Sequence, residues 1–226
     1  MGSRDERGVV ARGWEIRGGD LDDPAVARAV REDVAPRVAD HEGYLGGLML
    51  LDRDRRILRS LVLWDGLEAA DDAAGDGVRV VAALVALTSA QVTARCTFDV
   101  LLTRFDRLPP ILAGPQEGRR VVVRMGRLEG SGVAHPATTT RLGDLLDQQV
   151  TGAPGCVGGV LLLDRDRPTV TGASFWADAA AAAASSELGE RALQSVADLA
   201  EATSVGVGGY ELLVADLASW SGTAET

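Results

Sequence analysis

Short apolar runs rich in Val, Leu and Ile alternate with longer polar or Ala-rich stretches along the whole chain. Val9 to Ile16 reads as a strand, and Asp23-Pro24 then places proline at a first helical position, predicting a helix to about Asp40. Tyr44 to Leu51 is a second strand. The Asp-Arg-Asp-Arg turn after it and a return strand ending at Trp64 predict a hairpin with a polar, solvated tip. Glu68 to Leu87 is helical in composition, with Gly75 and Gly77 as the expected break, and Thr93 to Thr103 closes the series as a fourth strand.

The same series then repeats. Leu50-Leu51-Asp52-Arg53-Asp54-Arg55 recurs as Leu162-Leu163-Asp164-Arg165-Asp166-Arg167, an offset of 112 residues, and the offset holds along the chain. Val9, Val10 and Arg12 match Val121, Val122 and Arg124; Gly43, Gly46 and Gly47 match Gly155, Gly158 and Gly159; Trp64 matches Trp176. The second series predicts strands at Val121 to Leu128, Cys156 to Leu163, up to Trp176, and Val205 to Ala215. Its helices run from Pro136 to Val150 and from Ala179 to Ala202. Each copy has the order β-α-β-β-α-β, the ferredoxin-like motif, an α+β unit whose sheet carries helices on one face and needs a partner on the other. The expected organisation is a first repeat over 1–107, a linker over 108–119 marked by Pro109-Pro110 and Gly114-Pro115, and a second repeat over 120–226.

Composition narrows the chemistry. The formal charge of −10 repels phosphate backbones and anionic lipid surfaces, which argues against nucleic-acid and membrane partners and leaves a small molecule as the expected one. The chain has no Lys and no Asn, so Schiff-base lysines, a P-loop lysine and catalytic Asn are excluded. Two Cys and two His are too few and too scattered for zinc or iron–sulfur sets, and no cofactor is expected. Cys96 and Cys156 read as reduced, buried small residues. With no apolar stretch of about 18 residues and a polar start, the expected location is cytoplasmic.

Each copy resembles the dimeric α/β-barrel superfamily, in particular its antibiotic-biosynthesis-monooxygenase-like members. The likeness is carried by Pro154-Gly155-Cys156-Val157-Gly158-Gly159 through Phe175-Trp176, by the weaker Glu42-Gly43-Tyr44-Leu45-Gly46-Gly47 through Leu63-Trp64, and by the closing Gly209-Tyr210-Glu211-Leu212. The resemblance implies that the two sheets pack face to face within one chain, as an intramolecular dimeric α/β barrel. The expected assembly is a monomeric pseudo-dimer, with a further homodimer left open. It also implies substrate-driven reduction of O₂ in a dry pocket without a cofactor. The chain departs from the family pattern in lacking an Asn on the first strand and, on the second helix, the His of haem degraders.

Trp64 and Trp176 can stack on a planar ligand and donate an N–H to a developing anion, or simply fill the core. Arg12 and Arg124 lie mid-strand, where the fourth strand offers Asp99 and Glu211; each pair can fix register or bind an anion. Tyr44 and Tyr210 can donate to a quinone or phenolate oxygen, and Phe98 shares the position of Tyr210. His41 is the candidate general base, while His135 beside Pro136 reads as a capping or solvent position. Tyr44 and His41 make the first copy the expected working pocket. Two function classes follow: a cofactor-independent monooxygenase, or related cyclase, acting on a polycyclic aromatic polyketide-type intermediate of secondary metabolism; or a barrel that binds a small molecule or serves assembly without chemistry.

Overall fold

The computed structural model describes residues 8–21, 24–108 and 120–217. The elements are β1 (Val10–Arg17), α1 (Pro24–Ala29), a π-helical turn (Val30–Val34), α2 (Ala35–Ala39), β2 (Tyr44–Asp52), β3 (Ile57–Trp64), α3 (Leu67–Asp72), α4 (Ala74–Thr88) and β4 (Gln91–Arg104). They continue as β5 (Val122–Glu129), α5 (Pro136–Gly152), β6 (Cys156–Asp164), β7 (Thr169–Trp176), α6 (Ala179–Ala184), α7 (Ser186–Leu199) and β8 (Thr203–Asp216). The fold is mixed α+β, with strands paired in the order β1-β3-β2-β8-β5-β7-β6-β4, a closed antiparallel barrel. From residue 109 onward the predicted linker 108–119 lies outside the described residues. Among these residues no helix is long and apolar enough to cross a membrane.

The described residues fall into two compact units, the first holding those up to Phe98 together with 212–217, the second 99–108 and 120–211. In the first unit β1 pairs antiparallel with β3, from Val10 opposite Trp64 to Arg17 opposite Ile57. β2 lies on the other side of β3, with an irregularity between Tyr44 and Gly46. Ile16, Val26, Val30, Leu51, Leu58 and Leu84 bury together in the core of this unit. The helix expected to run unbroken from Pro24 to Asp40 is interrupted. Pro36 has no N–H to give the preceding turn, and the chain passes this position through the π-helical turn at Val30–Val34. The break expected at Gly75 and Gly77 falls instead at Ala73. The two glycines sit in the first turn of α4, and the Gly77 N–H donates to the Ala73 carbonyl at 3.1 Å.

The second unit repeats the arrangement with β7 between β5 and β6, and β8 on the far side of β5. Its first helix, α5, is continuous, and the ring of His135 caps it by accepting the Ala137 N–H at 3.2 Å. Leu128, Val133, Leu161, Trp176 and Val196 bury together in its core.

Equivalent positions do equivalent work in each unit. Gly43 and Gly155 both adopt positive φ (77° and 79°), and a Cβ on either would come within 2.5 Å of a helical alanine Cβ, Ala69 or Ala181. Their carbonyls accept the N–H of Asp65 and of Ala177, each at 2.8 Å. At the hairpin tips, Asp52 accepts the Arg55 N–H at 2.9 Å, and Asp164 accepts those of Asp166 and Arg167 at 2.9 and 3.1 Å. Both aspartates are buried, so only the Arg-Asp-Arg part of each turn is solvated.

Candidate functional site

Side chains alternate across a strand, so Arg12, Trp14 and Ile16 leave β1 on the face covered by the helices, as Arg124, Gly126 and Leu128 leave β5. Each unit has a cavity there, between sheet and helices, but the two differ in size and content.

The first unit's cavity measures about 100 Å³ and is bordered by Arg12, Trp14, His41, Tyr44, Trp64, Asp76 and apolar helix residues including Val30 and Val34. Trp64, 3% exposed, receives the His41 and Tyr44 rings edge-on, with centroids at 6.2 and 5.9 Å. His41 Nε2 lies 3.1 Å from an Asp76 carboxylate oxygen. The Arg79 guanidinium at the same carboxylate, with His41 assisting, holds Asp76 below the usual carboxylate range. The Tyr44 hydroxyl donates to Asp216 at 3.2 Å, and a Cβ on Gly47 would sit 3.1 Å from that hydroxyl. Burial, then the Asp216 charge, push the Tyr44 hydroxyl far above its ordinary value, so Tyr44 acts as a donor and not as a base.

The second unit's cavity measures about 560 Å³. Leu128, Leu142, Leu146, Leu161 and Leu193 make most of its wall, and Arg124, Gln149, Ser174, Ser185 and Glu190 bring polar groups to it. Two donors converge beside Gly189 on α7: the position of its missing Cβ is 3.6 Å from Gln149 Nε2 and 3.8 Å from Arg124 Nη1. Trp176 is fully buried and does not border this cavity; its indole N–H donates to Ser174 Oγ at 3.0 Å. The Ser174 hydroxyl, accepting from Trp176, keeps its own hydrogen to donate.

The arginine pairing expected from the sequence is corrected. Arg12 bonds Asp71 and the Ala70 carbonyl, on the helix above the sheet, not Asp99. Arg124 donates to the Ala182 carbonyl at 3.4 Å, the equivalent contact, while residue 183, at the position of Asp71, is alanine. Asp99 pairs instead with Arg165 at 3.6 Å, and Glu211 with Arg120 at 3.5 Å. The register explains the second case, because Arg124 stands opposite Gly209 and Glu211 opposite Val122. Phe98, Asp99, Tyr210 and Glu211 border neither cavity.

The structure thus gathers His41, Tyr44, Trp64 and Arg12 at one cavity and leaves Arg124 alone, of the expected residues, at the other. Gln149, Ser174 and Gly126 were not expected at a site. The only sequence signal for Gly126 is its alignment with Trp14. Cys96 and Cys156 are not joined in a disulfide, and burial raises the Cys156 thiol. Among the described residues no three His, Cys, Asp or Glu side chains are grouped to hold a metal ion.

Neither a protein-family model nor a curated protein sequence matches the chain. Solved structures do match in fold. A presumed monooxygenase from Fusobacterium nucleatum superposes with a TM-score of 0.67 at 10% identity, covering 93% of this chain and 94% of that one. An anthrone oxidase-like protein superposes at 0.60 with 15% identity and 96% coverage of both chains. A presumed monooxygenase from Lactobacillus acidophilus superposes at 0.58 with 13% identity, covering 92% of this chain and 94% of that one. At 10–15% identity these matches show a shared fold over more than nine-tenths of each chain.

Proposed function

We propose that the protein is a cofactor-independent monooxygenase-like enzyme, or a related cyclase, that acts on a polycyclic aromatic polyketide-type intermediate. In this reading its repeats, 1–107 and 120–226, form within one chain the barrel that related proteins build by dimerising. The observation that carries the reading is the second unit's cavity. Its volume of about 560 Å³ lies in the range of small-molecule sites, and its wall is apolar with a few converging polar groups. The fold neighbours described as monooxygenases or anthrone oxidase-like support the same class.

The chemistry asks little of the protein. An anthrone-type ring CH₂, once deprotonated, is an enolate that passes electrons to O₂. Net, the CH₂ and O₂ give a ring carbonyl and water. Arg124, Gln149 and Ser174 are placed to stabilise the enolate oxygen, and the leucine wall excludes water. The test is O₂ uptake with anthrone and purified protein, alone and as Arg124→Met. Uptake that falls at least tenfold in the variant is expected; no uptake by the native protein overturns the reading.

One observation favours the alternative of a non-catalytic small-molecule-binding protein. At the position of His41 the larger cavity carries Ala153, and Cys156, at the position of Tyr44, does not border it, so the cavity lining holds no histidine base. That reading predicts ligand quenching of tryptophan fluorescence with no O₂ uptake.

A further inference from the structure

The two cavities differ at one strand position that borders both. Trp14 and Gly126 are equivalent residues of β1 and β5, and each borders the cavity of its own unit. In the first unit the Trp14 indole extends from the sheet to the helix, where its Nε1 lies 4.0 Å from the place of a Cβ on Gly77. The Arg95 guanidinium lies over the ring at 5.0 Å from its centroid. In the second unit Gly126 puts no side chain there, and the cavity extends past it beside Leu193. Gly126 pairs across the strands with Gly172, and both border the cavity, whereas Trp14 pairs with Ser60. A Cβ on Gly126 would already touch Leu193 at 3.3 Å, so any larger residue there would intrude on the cavity.

We infer that only the second unit takes ligand, one molecule per chain, and that Gly126 admits it while Trp14 plugs the corresponding space in the first unit. The glycine pair Gly126 and Gly172 adds no side chain to the cavity floor, where the flanking groups are the apolar Leu161 and Leu193, a surface suited to the face of a flat ring system. At the far side, Arg124 and Gln149 converge as donors near Gly189, which selects a ligand bearing an acceptor or anionic oxygen. The ligand class is therefore a planar apolar molecule with one such oxygen. This inference rests on the proposed reading of the cavity as the working site.

The experiment uses the full chain and anthraquinone-2-sulfonate, a flat ring system with an anionic group, in equilibrium dialysis, with circular dichroism as the check on folding. The native protein is expected to bind one equivalent. Gly126→Trp, if folded, is expected to weaken binding at least tenfold, and Trp14→Ala to bind a second equivalent. Should Gly126→Trp fail to fold, the stoichiometry of Trp14→Ala decides. Two equivalents on the native chain, undiminished binding by folded Gly126→Trp, or a single equivalent on Trp14→Ala would overturn the inference. The oxygenase reading fails separately: one equivalent bound with no O₂ uptake from anthrone removes the reaction and leaves the plug, whereas native uptake retained by folded Gly126→Trp removes the plug and leaves the reaction.

Discussion

The Tyr44 hydroxyl donates to an Asp216 carboxylate oxygen across 3.2 Å, tying the start of β2 to the end of β8. These residues are 172 positions apart, and the bond is largely buried on the tyrosine side. Tyr44→Phe removes the donor and is expected to cost about 1–2 kcal/mol at neutral pH. The pH dependence has a definite sign. The folded-state value of Tyr44 lies above that of the unfolded chain, which is about 10, so the native state holds a proton that the unfolded state releases. The contribution is complete below pH ~10 and declines as pH rises beyond it. Denaturant midpoints of both proteins at pH 8 and pH 11 should show the gap narrowing at the higher pH; a constant gap would contradict the buried bond.

Backbone conformation separates three glycines that look alike in the sequence. Gly43 and Gly155 combine positive φ with a helical alanine at the place of their Cβ, so Gly43→Ala or Gly155→Ala is expected to destabilise by about 2–4 kcal/mol. Gly75, inside α4 with nothing within 4 Å of its Cβ position, is expected to gain about 0.5–1 kcal/mol on substitution by alanine. Thermal unfolding of the three variants should give shifts of opposite sign.

Which parts of this picture were legible in the sequence follows from what each depends on. Strand and helix order depends on blocks of apolar residues, and the 112-residue repetition supplied each element twice. Trp64, Tyr44 and His41 could be grouped because all three sit at turns flanking one strand pair. The partners of Arg12 and Arg124 could not be read the same way. Strand adjacency offers Asp99 and Glu211, but Glu211 stands opposite Val122, two residues along from Arg124, and the side chains of Arg12 and Arg124 reach the helix carbonyls of Ala70 and Ala182 instead. The helix interruption at Val30–Val34 was signalled by Pro36, whose effect on the preceding turn is local and physical. Cavity size is a different matter: matched positions show what two copies share, while volume is set by what they do not, here tryptophan against glycine.

Glu15 supplies a prediction on the acid side. Burial would raise its carboxyl, but the Thr93 hydroxyl at 2.8 Å and the Arg59 guanidinium at 2.7 and 3.0 Å outweigh it, and the carboxyl falls below its ordinary value. A lowered folded-state value stabilises the protein above the unfolded value of about 4.3, and the contribution disappears as pH falls through the folded one. The pair is partly exposed, so the effect is on the order of 1 kcal/mol or less. Glu15→Gln should lose that increment at pH 7, and the gap to the native protein should narrow as pH is lowered below about 4, as read from urea midpoints.

Cutting the chain in the segment between the repeats gives the last expectation. The first unit contains residues 212–217 from the end of β8, where β8 neighbours β2, and Asp216 there is the acceptor for Tyr44. A fragment ending at residue 108 has no such strand, so β2 is left with an open hydrogen-bonding edge and Tyr44 loses its acceptor. The second unit contains 99–108, so a fragment starting at 120 lacks the β4 segment beside β6. Open edges of this kind pair with other chains. Each fragment alone is therefore expected to sediment as a dimer or larger species, and the two expressed together to recover a complex near the 23.6 kDa of the intact chain. Folded, monomeric fragments with sharp unfolding transitions would show that the strands shared between units are dispensable, and the intramolecular pairing of the repeats would have to be abandoned.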